Sequence, residues 1–348
     1  MTMSATDRIP VTLIGGYLGA GKTSLLNHLL THAGGERIAV LVNDFGALGL
    51  DAALVARRDA DTVTLTNGCV CCSIADDFGA ALDAQIRADE PPERIVVETS
   101  GVAEPAKTAR YASGWPGIRL DAVLTVVDVE TIRARAKDRF VGDLVVRQIE
   151  SADLIVANKS DRVDASTRRS AAQWLARRAP RAAQVETSHG RVAPAVVLGV
   201  DLRESGGFGE GIGDGRTCSR SPNAPVSPAS GPSDRMEPES HAATDRSALP
   251  PFVRVSCRAG EPLDRAALVT ALDALPGAVV RFKGVVRLRE HPERPYVLQG
   301  VGRRWSLETA PSHLPAALGI GDGSAIDLIG VGSAEPIERA ARRIAPGP

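Results

Sequence analysis

The sequence has no long apolar run and no large excess of charge of either sign. Nowhere do roughly eighteen apolar residues follow one another, which argues against a membrane-spanning helix. The net charge is only -1 over 348 residues, so there is no general attraction to nucleic acid or to an anionic membrane. The first ten residues lack the apolar region of a secretion signal. We therefore expect a soluble, cytoplasmic protein.

Cysteine is also scarce, and its distribution is uneven. The chain has 5 cysteines, and three of them lie together at Cys69, Cys71 and Cys72, a spacing unlike that of a secreted disulfide framework. Such thiols can bind one soft or borderline ion, with Zn²⁺ the commonest occupant and Cu(I) or Co²⁺ as alternatives. The competing interpretation is that one or two of them are small buried apolar residues. The clustering favours a metal site.

Residues 16–23 have the pattern G-x-x-x-x-G-K-T. They follow a β-branched apolar run, 9–14, and lead into leucines at helical spacing. Between a strand and a helix, this pattern predicts a phosphate-binding loop, in which backbone N–H groups and a helix N-terminus surround an anion. We expect Lys22 to contact the terminal phosphates and the Thr23 hydroxyl to bind Mg²⁺. The predicted nucleotide-binding residues of the loop are Gly16, Gly19, Ala20, Gly21, Lys22, Thr23 and Ser24.

A second motif, Asn158-Lys159-Ser160-Asp161, follows the apolar strand candidate 154–157 and matches the guanine-recognition pattern N-K-x-D. An aspartate accepts hydrogen bonds from the ring N–H and the exocyclic amine of guanine, and adenine has no such pair of donors. We expect the Asn158 amide to meet the other edge of the base and the Lys159 stem to lie along it. Downstream of a phosphate loop, the motif predicts GTP rather than ATP. Residues 187–190 are a positional candidate for an amide donor to the base, with an ordinary loop as the alternative.

The acidic residue Glu98 ends the apolar strand candidate 94–98 and precedes Gly101 in the following loop. We predict that Glu98 holds Mg²⁺ through a water molecule, and that the Gly101 N–H approaches the γ-phosphate as part of a switch loop. No glutamine directly follows Gly101 to orient the attacking water, so slow intrinsic hydrolysis is expected. The predicted catalytic residues are Lys22, Thr23, Glu98 and Gly101.

Strand and helix candidates alternate over the first two hundred residues. This alternation predicts an α/β fold of the P-loop NTPase type, with a doubly wound, mostly parallel sheet. Residues 203–250 are rich in Gly, Ser and Pro and predict a disordered linker. Several strand candidates then follow with few helices between them, which predicts a small α+β domain with an antiparallel sheet. The predicted units are a GTPase domain at 1–202, the linker at 203–250 and a C-terminal domain at 251–348.

Two further patterns are weaker. His28 and His32 lie one helical turn apart, but no cysteine or carboxylate completes the pattern, so we interpret them as surface or packing residues. The strand candidate that begins at Val279 alternates basic with other residues, which predicts a basic, solvated sheet face and gives no strong signal for nucleic acid. Its basic residues are Arg281, Lys283, Arg287 and Arg289.

Together these motifs resemble those of the CobW family of P-loop GTPases, which includes cobalamin-biosynthesis proteins, nitrile hydratase activators and zinc metallochaperones. The shared features are the phosphate loop 16–23, the segment 43–46, the C-x-C-C cluster 69–72, the Glu98 loop and the motif 158–161. The second domain adds matches at 281–284 and 299–302.

The resemblance implies a GTPase that couples GTP hydrolysis to binding a transition metal, Zn²⁺ or Co²⁺, or to delivering it to a metal-requiring client protein. It implies Mg²⁺ at the nucleotide and a cargo metal at Cys69, Cys71 and Cys72, with Asp44 as a fourth ligand. The chain has Asp44 where the family usually has glutamate, and its linker has only His241 in place of a histidine-rich stretch. Two alternatives remain open: a regulatory GTPase acting on a ribosome or another assembly under metal stress, and a P-loop ATPase or small-molecule kinase.

Overall fold

A computed structural model describes residues 8–33, 35–43, 62–65, 73–199, 218–221, 252–311, 314–317 and 320–345. The first part of the chain forms an α/β layer structure in which helices cover a sheet. Its strands are β1 (Ile9–Gly15), β2 (Ile38–Asn43), β3 (Thr62–Leu65), β4 (Arg94–Glu98), β5 (Ile118–Asp128), β6 (Leu154–Asn158) and β7 (Ala183–Glu186). Its helices are α1 (Lys22–Thr31), α2 (Ser73–Ile86), α3 (Pro105–Ser113), α4 (Ile132–Arg135), α5 (Gly142–Glu150), α6 (Ala165–Arg178) and α7 (Pro194–Leu198).

The first sheet has the strand order β3-β2-β4-β1-β5-β6-β7, and every neighbouring pair is parallel. The apolar, β-branched strands β4 and β6 are buried at every position, as expected where helices cover both faces of a parallel sheet. The carboxyl ends of these strands meet at one edge, which is where ligands bind in such sheets. The predicted P-loop-type α/β fold is confirmed.

The second part of the chain is built around an antiparallel sheet with the order β12-β11-β10-β13-β9-β8. Strand β9 alternates buried and partly buried residues, the pattern of a sheet with one face against a core. The predicted α+β domain is confirmed. Its strands are β8 (Cys218–Ser221), β9 (Phe252–Ala259), β10 (Val279–Leu288), β11 (His291–Val301), β12 (Arg304–Thr309) and β13 (Ser324–Val331), and its helices are α8 (Arg265–Asp273), α9 (Leu314–Ala317) and α10 (Ala334–Ile344).

Strand β8 comes from the segment predicted to be a disordered linker. It pairs with β9 in antiparallel register, with Cys218 opposite Cys257, and Cys257 is disulfide-bonded. The prediction of disorder therefore does not hold for residues 218–221. Their sequence is too short and polar to predict a strand, because the pairing depends on the edge that β9 offers.

The two sheets are joined by a shared apolar core. Val196, Val197 and Leu198 of α7 pack in one buried cluster with Val280 and Ile329 of the second sheet. Helix α7 thus lies between the sheets and holds them together through apolar contact. Within the described residues, each helix is too short or too polar to cross a bilayer.

The basic face predicted for β10 is not solvated at Arg281. This residue is 4% exposed, and its guanidinium donates to the backbone oxygens of Val196 and Val197 and to Asp121 Oδ2 at 2.8 Å. The prediction of a solvated face is wrong there, because the partners lie far away in the chain and the second sheet packs against the first.

Candidate functional site

The predicted phosphate loop connects β1 to α1 at the carboxyl edge of the first sheet. Gly16 has a φ of 134°, and a Cβ there would lie 2.2 Å from the Val126 backbone oxygen. Gly21 precedes α1 with a φ of 104°, and a Cβ there would lie 2.3 Å from Asn158 Nδ2. Only glycine fits both backbone conformations and both spaces. The sequence pattern therefore has a direct steric reason.

The loop points the N-terminus of α1 at an open position for an anion. No acidic residue lies in the first turn of this helix, so the partial positive charge of the helix end is not neutralised locally. Lys22 is 8% exposed, and its Nζ donates to the Gly16 backbone oxygen at 3.1 Å. The ammonium group thus lies across the mouth of the loop, beside the free amides.

Thr23 and Glu98 meet at the base of the loop. The Thr23 hydroxyl donates to Glu98 Oε1 at 2.9 Å, and Glu98 is 2% exposed. The contact follows from the sheet register, which places Glu98 of β4 beside Ile14 of β1. A hydroxyl and a carboxylate are hard oxygen donors of the kind that Mg²⁺ prefers, so the residues fit that ion.

The loop after Glu98 is held by a residue that the sequence analysis did not single out. Gln148 on α5 is 1% exposed, and its Nε2 donates to the backbone oxygens of Gly101 at 3.1 Å and Ala103 at 2.8 Å. The Thr125 hydroxyl in turn donates to the Gln148 backbone oxygen at 2.8 Å. The only signal in the sequence was a polar residue on the apolar face of a short helix, beside Val145 and Ile149.

Asn158 ties the phosphate loop to the loop after β7. Its Nδ2 donates to the Ala20 backbone oxygen at 2.9 Å, and its Oδ1 accepts from the Gly190 N–H at 2.9 Å. The side chain is 2% exposed. Both ends of the amide thus bind the protein's own backbone, so the predicted position at the site holds, while the expected contact with the base is replaced by a positioning role.

The two charged members of the motif differ in their surroundings. Lys159 Nζ lies 2.7 Å from Asp128 Oδ2 at the end of β5, and its backbone has a left-handed φ of 62°. Asp161 is 42% exposed, with His189 Nε2 3.8 Å away. Desolvation opposes ionisation of Asp161, but the Ser188 hydroxyl and His189 hold its pKa below the usual value. This carboxylate is ionised and accessible to a ligand.

The predicted metal ligands Asp44, Cys69, Cys71 and Cys72 lie outside the described residues. Strand β2 ends directly before Asp44, and α2 begins directly after Cys72. In the register of the sheet, Val42 of β2 lies beside Glu98. Among the residues that the structure describes, no group of three or more His, Cys, Asp and Glu side chains is arranged to hold a metal ion.

The two histidines of α1 pack against each other, with ring centroids 4.2 Å apart. Burial, together with the neighbouring His32 and Arg191, lowers the pKa of His28 to about 4. A neutral, half-buried ring stacked on its neighbour agrees with the packing role inferred from the sequence.

The parallel sheet, the glycine loop at its carboxyl edge and the Thr23–Glu98 pair define a P-loop nucleotide-binding protein. The chain matches the family described as "CobW/HypB/UreG, nucleotide-binding domain" over residues 10–186, and "Cobalamin synthesis protein cobW C-terminal domain" over residues 252–340. It belongs to the CobW/HypB/UreG family of nucleotide-binding proteins.

Curated relatives agree with this assignment. The chain is 36% identical to "Zinc chaperone CobW" of Sinorhizobium sp over 225 residues, which are 56% of this chain and 63% of the relative. It is 34% identical to "Zinc chaperone CobW" of Pseudomonas aeruginosa over 234 residues, 58% of this chain and 62% of the relative. It is 34% identical to "Zinc-regulated GTPase metalloprotein activator 1" of Schizosaccharomyces pombe over 201 residues, 54% of this chain and 48% of the relative. The matched region spans less than two thirds of each relative.

Proposed function

We propose that this protein binds and hydrolyses GTP and couples the reaction to binding a transition metal, with zinc as the cargo, and to delivering it to a client protein. The zinc chaperone names of its relatives support the cargo. The observation that carries the proposal is the buried contact between Thr23 and Glu98. It joins the phosphate loop to the strand whose following loop is tethered by Gln148, at the sheet edge where the strand before Asp44 ends.

The nucleotide chemistry would be divided among the residues of the loop and its neighbours. The loop amides and Lys22 stabilise negative charge on the transferring phosphoryl group. Thr23 and Glu98 would hold Mg²⁺, which supplies charge neutralisation at the phosphates when bound. The Gly101 N–H is placed to respond to the presence of a γ-phosphate. No described side chain is assigned as the general base, and slow hydrolysis is therefore expected.

Base selection would rest on Asp161 rather than on Asn158. The Asp161 carboxylate is exposed and ionised, so it can accept from the two donors of guanine. Asn158 would act indirectly, since its amide fixes Ala20 and Gly190 on either side of the nucleotide position.

The cargo would be bound by the thiolates of Cys69, Cys71 and Cys72, with Asp44 as a fourth ligand. Thiolates favour zinc over magnesium, so cargo and nucleotide metal would be separated by ligand chemistry. We place this activity in the cytoplasm, where reducing conditions keep such thiols free.

The first test is the affinity of the protein for GTP and ATP measured side by side, together with phosphate release. We expect GTP to bind far more tightly, and Lys22→Ala to abolish hydrolysis. Zinc bound by the wild type is then compared with zinc bound by Cys71→Ser, with Cys218→Ser as a control cysteine outside the cluster. Preference for ATP would refute the nucleotide assignment, and full zinc binding by Cys71→Ser would refute the cargo site.

A further inference from the structure

A charged cavity lies between the two sheets, on the side away from the nucleotide loop. It has a volume of about 240 Å³ and is bounded by the amino-terminal ends of β1, β4 and β5 and by the second sheet. Strands β1 and β4 run from this cavity to the phosphate loop and to Glu98, so the two sites occupy opposite edges of one sheet. The charged residues that line it are Arg8, Arg94, Asp121, Arg119, Arg281, Lys283, Arg304, Glu308 and Asp327.

Asp121 is the central acidic group of this cavity, and three guanidinium groups surround it. Arg281 Nη1 lies 2.8 Å from Asp121 Oδ2, Arg119 Nη1 lies 3.5 Å from Oδ1, and Arg94 Nη1 lies 3.7 Å from Oδ2. Burial raises the pKa of Asp121, but the three arginines together hold it well below the usual range. One ionised carboxylate therefore faces three cations.

The charge around the cavity does not balance when the outer partners are added. Glu36 lies 3.6 Å from Arg94, Asp153 lies 2.7 Å from Arg304, and Arg254 lies 2.7 Å from Asp327. Among the described residues, the network then holds seven cations and five carboxylates. Two positive charges are left over in a largely desolvated place, where unpaired charge is costly.

The rest of the lining suits a small polar molecule. Ser113, Gln299 and Ser306 supply hydrogen-bonding groups, and Phe282 and Trp305 supply flat apolar surface. Guanidinium groups bind planar or tetrahedral oxyanions through paired N–H donors. The volume is below the range of pockets that hold drug-sized ligands, about 300–1,000 Å³, so the ligand is compact.

We propose that this interdomain cavity binds a small dianion, a phosphate monoester or a dicarboxylate, which neutralises the excess charge around Asp121. The ligand would contact Arg94 and Arg119 of the first domain and Arg304 of the second, and would bridge the two domains. The site is independent of the nucleotide function, because none of its residues belongs to the phosphate loop, the Glu98 loop or the guanine motif.

The test is calorimetric titration of the full-length protein with inorganic phosphate and, separately, with succinate, at constant ionic strength. A non-hydrolysable GTP analogue and Mg²⁺ are present in excess, so that the phosphate loop is occupied. We expect saturable one-to-one binding of at least one probe. Phosphate alone would indicate a phosphate ester, and succinate alone a dicarboxylate.

Two variants assign the binding to the cavity. Arg119→Gln and, separately, the more exposed Arg8→Gln should weaken binding roughly tenfold or more, because each removes one cation from the lining. Arg168→Gln is the control, since it removes the same charge from a surface pair with Glu186 and should bind like the wild type. Thermal unfolding establishes that each variant is folded. The proposal is overturned if neither probe binds saturably, or if folded Arg119→Gln and Arg8→Gln bind as tightly as the control.

Discussion

Replacement of Gln148 by methionine tests whether the loop after Glu98 must be held for catalysis. Methionine has nearly the same length and volume, so the packing of α5 is retained while both donated hydrogen bonds are lost. These bonds, to Gly101 and Ala103, are 3.1 and 2.8 Å long and buried. The substitution should loosen the loop without unfolding the domain.

The size of the effect follows from the two bonds. Each is worth about 1 kcal/mol net, so the tethered conformation of the loop loses about 2 kcal/mol relative to looser ones. At 1.4 kcal/mol per factor of ten, this corresponds to roughly 30-fold. We expect single-turnover GTP hydrolysis to slow by roughly that factor. GDP affinity should change little, because GDP lacks the γ-phosphate that the loop contacts.

The assay is phosphate release from a stoichiometric complex with GTP, with GDP affinity measured separately by fluorescence titration. Gln85→Met is the matched control, because Gln85 is another buried glutamine, 7% exposed, on α2. Equal hydrolysis by Gln148→Met and the wild type would refute a role for the tether. An equal loss in the Gln85 control would show that the effect is general destabilisation.

Three further predictions concern base choice, the domain interface and pH. Asp161→Asn should weaken GTP binding roughly 100-fold or more and improve binding of xanthosine triphosphate, whose base offers an acceptor where guanine offers a donor; competition titration measures both. Asp121→Asn should lower the free energy of unfolding in urea by about 3–5 kcal/mol, since it leaves three arginines without their carboxylate, whereas Asp322→Asn, at a fully exposed pair, should have no measurable effect. The lowered pKa of His28, about 4, means that the unfolded chain takes up a proton first as pH falls, so stability present above pH 6.5 is lost between 6.5 and 4; the shift corresponds to about 3.4 kcal/mol, which partial exposure reduces to roughly 1–2 kcal/mol. His28→Gln should remove that loss while His32→Gln retains it, and an unchanged pH profile in His28→Gln would contradict the assignment.

The strands of the first sheet could be predicted from the sequence because their burial is written into continuous apolar runs. Strands β4 and β6 agree with their predicted bounds at both ends. The phosphate loop was equally accessible, since its glycines answer to local steric demands at Gly16 and Gly21. Such features depend on neighbours in sequence or on one strand and one helix.

The features that could not be predicted depend on contacts between distant parts of the chain. Arg281 on a basic strand indicates a solvated face until Asp121, 160 residues earlier, is placed against it. Gln148 has no motif, because its partners are backbone oxygens of another loop. Strand β8 forms only where β9 offers a free edge. Polar residues buried by tertiary pairing leave no periodic signal in the sequence.

The central claim is that nucleotide state controls metal affinity, and one measurement addresses it directly. Zinc affinity is determined by competition with a chromophoric chelator for the protein bound to GDP and for the protein bound to a non-hydrolysable GTP analogue, each with Mg²⁺. We expect the two affinities to differ by roughly tenfold or more, a coupling of at least about 1.4 kcal/mol, and the difference to vanish in Cys71→Ser. Equal zinc affinities in the two nucleotide states of the wild type would contradict the claim.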